Sequence, residues 1–99
     1  MRLFSTEQVS KYHPDKVCDQ ISDAILDACL AADPNSRVAC ETLFKGDTIV
    51  IAGEITTSAK INYEQIATNM ARKLGYDCTR VYNIISTQSP EIARGVGNN

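Results

Sequence analysis

The chain has 99 residues, 43% of them hydrophobic and 22% charged, with a net charge of −2. That is one ordinary globular domain, large enough to bury a core but small enough to gain from oligomerisation. The balance gives no basic footprint for nucleic acid, no apolar run approaches membrane-spanning length, and the polar start Met1-Arg2-Leu3-Phe4-Ser5 is no signal peptide, which points to the cytoplasm.

Leu3-Phe4 is read as a short opening strand. His13-Pro14-Asp15-Lys16 follows, with the sole histidine of the chain, just ahead of an amphipathic helix expected from about Asp15 to Ala31. Val17, Ile21, Ala24, Ile25 and Ala28 make its apolar stripe. Pro14 suits a first helical turn, where its missing N–H costs nothing. A helix N-terminus favours anions. Here it would have His13 as a neutral donor, Lys16 as a cation and Asp15 as a possible Mg²⁺ ligand, the combination that a metal-bound polyphosphate needs. The other reading is a helix cap, with Asp15 complementing the macrodipole. Asp33-Pro34 stops the helix, because the residue before proline is pushed out of the helical region.

Two strands, Arg37 to Lys45 and Thr48 to Ser58, flank Gly46-Asp47, a two-residue hairpin turn. In that register Phe44 faces Ile49, Cys40 faces Gly53 and Ala39 faces Glu54. Alternation then puts Val38, Cys40, Phe44, Ile49, Ile51 and Ile55 on one apolar face. The opposite face holds Ala39, Glu41, Leu43, Val50, Ala52 and Glu54, with the two acids as diagonal neighbours roughly 7–8 Å apart. Two like charges among small apolar groups suit a covered face with a ligand in it; they equally suit a solvent face kept soluble by its acids.

A second helix is expected from about Asn62 to Leu74, with Asn62 and Gln65 placed as a capping box and Gly75 as a C-cap. A last strand runs from Val81 to Thr87, and residues 89–99 are expected to form a flexible tail. Cys18, Cys29, Cys40 and Cys78 contain no Cys-x-x-Cys pair, which indicates reduced, largely buried thiols rather than a zinc site. The order β-α-β-β-α-β suits an α+β two-layer sandwich: an antiparallel sheet with both helices on one face, leaving the Glu41/Glu54 face for a partner.

Several stretches together resemble the N-terminal region of the S-adenosylmethionine synthases (methionine adenosyltransferases). They are Ser10 through His13-Pro14-Asp15-Lys16, Asp19-Gln20-Ile21-Ser22-Asp23-Ala24, Asp33-Pro34, Arg37-Val38-Ala39-Cys40-Glu41-Thr42, Ala52-Gly53-Glu54-Ile55-Thr56-Thr57-Ser58-Ala59, Gly75-Tyr76-Asp77 and Gln88-Ser89-Pro90-Glu91-Ile92-Ala93. The resemblance spans nearly the whole chain, in family order. It implies an enzyme that joins L-methionine to ATP, releases triphosphate and cleaves that to pyrophosphate and phosphate, using Mg²⁺ and K⁺ at sites between subunits of a homo-oligomer. By the same resemblance His13 and Lys16 contact the ATP phosphates, with His13 at the bond that breaks. Asp15 is the Mg²⁺ ligand, Glu41 the K⁺-site acid, and Glu54 and Gln88 bind methionine. The chain departs from the family at Lys11-Tyr12, where Glu-Gly is usual, and between Tyr76 and Gln88, where it is shorter. Later family segments that complete the site lie outside these 99 residues, so the chain alone is expected to be inactive. The alternative is a non-catalytic module that binds nucleotide or a partner subunit.

Overall fold

A computed structural model describes residues 14–77 and 80–90. The Leu3-Phe4 strand, His13 and the tail beyond Pro90 lie outside the described residues. Within them the order is α1 (Pro14–Ala32), β1 (Arg37–Lys45), β2 (Thr48–Thr56), α2 (Tyr63–Lys73) and β3 (Arg80–Gln88).

On α1 the buried residues are Val17, Ile21, Ile25 and Cys29, each four apart. Offset from them by two positions run Asp15, Asp19, Asp23 and Asp27, all exposed. Two residues turn a helix by about 200°, so the acids form a ridge opposite the core. Like charges at i,i+4 cost roughly 0.2–0.5 kcal/mol per pair. Burying one Val or Ile stabilises by about 1.5–3 kcal/mol, so the apolar stripe decides the matter. The helix ends in a tight turn: Asp33 N–H donates to Cys29 O at 2.8 Å, and Ser36 N–H to Asp33 O at 3.0 Å.

The hairpin has the register expected from its turn: Phe44 opposite Ile49, Cys40 opposite Gly53, Ala39 opposite Glu54. Gly53 is required there. Its φ is +137°, and a Cβ at that position would lie 1.8 Å from the Ala39 carbonyl oxygen.

The sheet order is β1-β2-β3. β1 and β2 are antiparallel, but β3 pairs parallel to β2, with Glu54 beside Ser86 and Thr56 beside Gln88. The sheet is therefore mixed, not wholly antiparallel as expected. The reason is the connection: β2 crosses through α2 before β3 begins, and a crossover returns the chain in the same direction.

Asn62 caps α2 by accepting the Gln65 N–H at 3.0 Å. The reciprocal half of a capping box is replaced, since the Gln65 amide donates to Asn69 Oδ1 instead. At the other end Gly75 N–H donates to Arg72 O and Tyr76 N–H to Ala71 O, with Gly75 at φ +99°. This Schellman closure delivers the Tyr76 ring edge-on to Phe44, centroids 5.0 Å apart.

Both helices cover one sheet face. Ile49, Ile51 and Ile55 join the α1 stripe and Tyr63, Ala67 and Ala71 of α2 in one core. No helix of the described residues is long and apolar enough to cross a membrane.

Two outcomes follow from this packing. Gly53→Ala should lose at least ~2 kcal/mol in urea unfolding, since the backbone region alone costs about 1–3 kcal/mol and the Ala39 carbonyl must also move. Asp23→Lys should gain roughly 1–2 kcal/mol at low salt, by turning two repulsive ridge contacts into attractive ones, with the gain shrinking in high salt.

Candidate functional site

Among the described residues, no element covers the sheet face away from the helices. It carries Ala39, Glu41 and Leu43 from β1, Val50, Ala52 and Glu54 from β2, and Tyr82, Ile84, Ser86 and Gln88 from β3. Leu43 is 70% exposed, Ile84 65% and Tyr82 53%. Such values are unusual for large apolar side chains in regular strands and mark a surface suited to a partner. Glu41 lies opposite Ala52, and Glu54 opposite Ala39, so the acids are diagonal neighbours. Between them lies a shallow hollow of about 550 Å³ lined by Val38, Ala39, Cys40, Glu41, Ala52, Gly53 and Glu54. Small residues make it: Ala39 and Ala52 leave room that larger side chains would fill.

Gln88 ends β3 on this same face, one step diagonal from Glu54. It also lines a second hollow of about 330 Å³ with Thr57, Lys60, Tyr63 and Ser89, beyond the ends of β2 and β3. Glu41, Glu54 and Gln88 are thus brought onto one surface.

Asp15 and Lys16 are not brought there. Both are exposed in the first turn of α1, in the helix layer. Ser22 Oγ meets Thr42 Oγ1 at 2.8 Å, which fixes α1 along β1. From that contact Asp15 is about 10 Å further toward the hairpin end, at 1.5 Å per helical residue. Ala39, opposite Glu54, is about 10 Å the other way, at 3.3 Å per strand residue. The described candidate residues therefore fall into two groups: Asp15 and Lys16 in the helix layer toward the hairpin end, and Glu41, Glu54 and Gln88 on the other sheet face, with Glu54 and Gln88 toward the opposite end. Among the described residues no group of three His, Cys, Asp or Glu side chains could hold a metal ion. A single exposed carboxylate such as Asp15 offers a hard oxygen but cannot by itself complete a divalent-cation site.

In the sequence, Asp33-Pro34 marks only the end of a helix. The structure gives it more. It is 8% exposed. Its Oδ1 accepts Asn35 N–H at 3.0 Å. Its Oδ2 accepts Ser58 N–H at 2.9 Å and Ser58 Oγ–H at 3.0 Å, with Thr57 Oγ1 at 3.5 Å. Ser36 Oγ lies 2.7 Å from both Asp33 O and Thr57 Oγ1. The Ser58 and Asn35 N–H groups, with the Ser58 hydroxyl, hold the Asp33 carboxyl below the usual carboxylate range, against a smaller opposing effect of burial. The Asp33–Asn35 contact is a local turn signal carried by the sequence; the link to Ser58 is tertiary.

The described thiols are free, and none is activated. Burial pushes Cys18, Cys29 and Cys40 up. Tyr63, buried against Cys29, is pushed up to about 12, chiefly by desolvation.

Residues 1–96 match the family model for the S-adenosylmethionine synthetase N-terminal domain. The chain belongs to that family. It is 53% identical, over 94% of its length, to the S-adenosylmethionine synthase of Brachyspira hyodysenteriae (strain ATCC 49526 / WA1). It spans about a quarter of that relative, 26% of its length.

The Asp33 network makes stability depend on pH with a definite sign. A depressed folded-state pKa means that the stabilisation is complete above the unfolded value, ordinarily about 3.9, and is lost as pH falls through the folded value. Acid unfolding followed by circular dichroism should therefore begin at higher pH in chains lacking the Asp33 carboxylate's partners, as in Ser58→Ala.

Proposed function

We propose that this chain carries the N-terminal share of a methionine adenosyltransferase site, forming S-adenosylmethionine from ATP and L-methionine. The observation that carries this reading is the match of residues 1–96 to that family's N-terminal domain. The proximity of Glu54 and Gln88 on one open face supports it.

In this reading Glu54 and Gln88 bind the amino-acid part of methionine. A carboxylate can accept from its ammonium group, and an amide can serve either end. So held, the sulfur is oriented toward the ribose C5′. The S–C5′ bond forms as the C5′–O bond breaks, and triphosphate leaves with the electron pair. A thioether has no proton to lose, so no general base is required. His13 and Lys16 stabilise the charge that develops on the leaving oxygens. Water then splits triphosphate into pyrophosphate and phosphate. Asp15 would hold Mg²⁺ and Glu41 would border a K⁺ site; the cations would offset phosphate charge. Methionine and ATP are the substrates, a second copy is the partner across the open sheet face, and the setting is cytoplasmic.

The separation of Asp15 and Lys16 from Glu54 and Gln88 supports a composite site, in which one copy's helix end serves another's sheet face. The same separation favours the second reading, a module that binds nucleotide or a partner subunit without chemistry.

Calorimetric titration of the 99-residue chain with Mg-ATP and with L-methionine separates the two. Binding of ATP that is lost in His13→Ala and Asp15→Ala, and of methionine that is lost in Glu54→Ala and Gln88→Ala, is the expected result. No binding of either at millimolar ligand would sink the site assignment and leave the partner-binding module. The chain alone should form no S-adenosylmethionine at an enzyme-like rate.

A further inference from the structure

Asp33 lies outside every residue given a substrate role above, yet its hydrogen bonds lead to one of them. Its Oδ2 accepts the Ser58 N–H and hydroxyl. The neighbouring Thr57 N–H donates to the Gln88 carbonyl at 3.0 Å, the bond that joins the chain just beyond β2 to the end of β3. Thr57 is also held from the side, where its Oγ1 meets Ser36 Oγ and accepts the Ala59 N–H at 3.1 Å.

We propose that Asp33 is a positioning residue for the Glu54–Gln88 pair: by clamping Thr57–Ser58 it fixes the end of β3 beside β2, and with it the place of Gln88. The assignment of Gln88 to methionine rests on the reading above; the clamp itself does not. The clamp is local. Among the described residues the Asp33 carboxylate bonds to the turn after α1 and to the segment after β2, whereas Ile49 and Ile51, two of the main core contributions of β2, lie toward its other end. β3 is an edge strand among the described residues, with β2 as its neighbour. The Thr57–Gln88 bond is one that holds its last residue to the chain beyond β2. An acceptor with several donors is costly to remove, because the donors are left unpaired in a partly buried place.

The test is amide hydrogen exchange by NMR on the ¹⁵N-labelled 99-residue chain, comparing Asp33→Asn with the original. Asparagine keeps the size and one acceptor but cannot satisfy both Asn35 and Ser58 N–H groups. Expected are about tenfold faster exchange at Thr57 and Ser58, the loss of roughly one net hydrogen bond, and a shifted Gln88 side-chain amide signal. Amides of Ile49 and Ile51 should keep their protection. Unchanged exchange at Thr57 would overturn the proposal. So would an equal loss of protection across the whole sheet, which marks a purely structural role. If Asp33→Asn does not fold, Ser58→Ala removes one Oδ2 donor and must show the same local pattern in weaker form; its absence also overturns the proposal. In a parallel titration with L-methionine, the original should shift the Gln88 side-chain amide and Asp33→Asn should bind about tenfold more weakly. A folded original that binds no methionine removes the substrate assignment of Gln88, while the exchange data still decide whether Asp33 sets its position.

Discussion

The close approach of the Ala39 carbonyl to Gly53 is the constraint on which the rest of the arrangement depends. The carbonyl oxygen occupies the place where any side chain at residue 53 would begin. That contact holds β1 and β2 in a single register. A slip by one residue would turn every side chain to the other face. Ile49, Ile51 and Ile55 would leave the core, and Glu54 would enter it. The register is thus fixed twice, by the steric fit at Gly53 and by the large free-energy cost of exposing three isoleucines while burying an acid.

From that register the two faces acquire different characters. The covered face is branched and apolar, and the helices close it. The open face is built from alanines, valine and two acids, with Leu43, Tyr82 and Ile84 standing exposed around them. The described elements place no third layer over that face. The small residues leave a hollow rather than a flat surface, and the two acids border it. Apolar surface with a polar recess is the pattern of a ligand site that a second surface covers.

Much of this was legible in the sequence, because the relevant signals are local. The α1 stripe, the Gly46-Asp47 turn and the Asn62 cap depend on residues near one another in the chain, and the hairpin register follows from the turn by counting. The direction of β3 was less accessible. Nothing within Arg80–Gln88 distinguishes a parallel from an antiparallel strand; the α2 crossover decides it. Asp33 shows the same limit. Its bond to Asn35 belongs to a turn that sequence encodes, while its bonds to Ser58 span 25 positions and exist only after the sheet has formed. The proximity of Gln88 to Glu54 is of this second kind, since it needs the parallel pairing.

If the polar residues act together as proposed, their division between two faces argues for assembly. Asp15 and Lys16 stand at the start of α1, and α1 packs on the covered face. Glu54 and Gln88 stand on the open face toward the opposite end. No side-chain rotation bridges a whole sheet layer, with sheets and helices stacked about 10 Å apart. If both groups act on one substrate pair, they must come from different copies or meet through further chain. A face-to-face pairing of two open sheets would bury the exposed Leu43, Tyr82 and Ile84 and enclose the Glu54–Gln88 recess in the same step. The apolar residues would then supply the association energy and the polar residues the chemistry, on one surface.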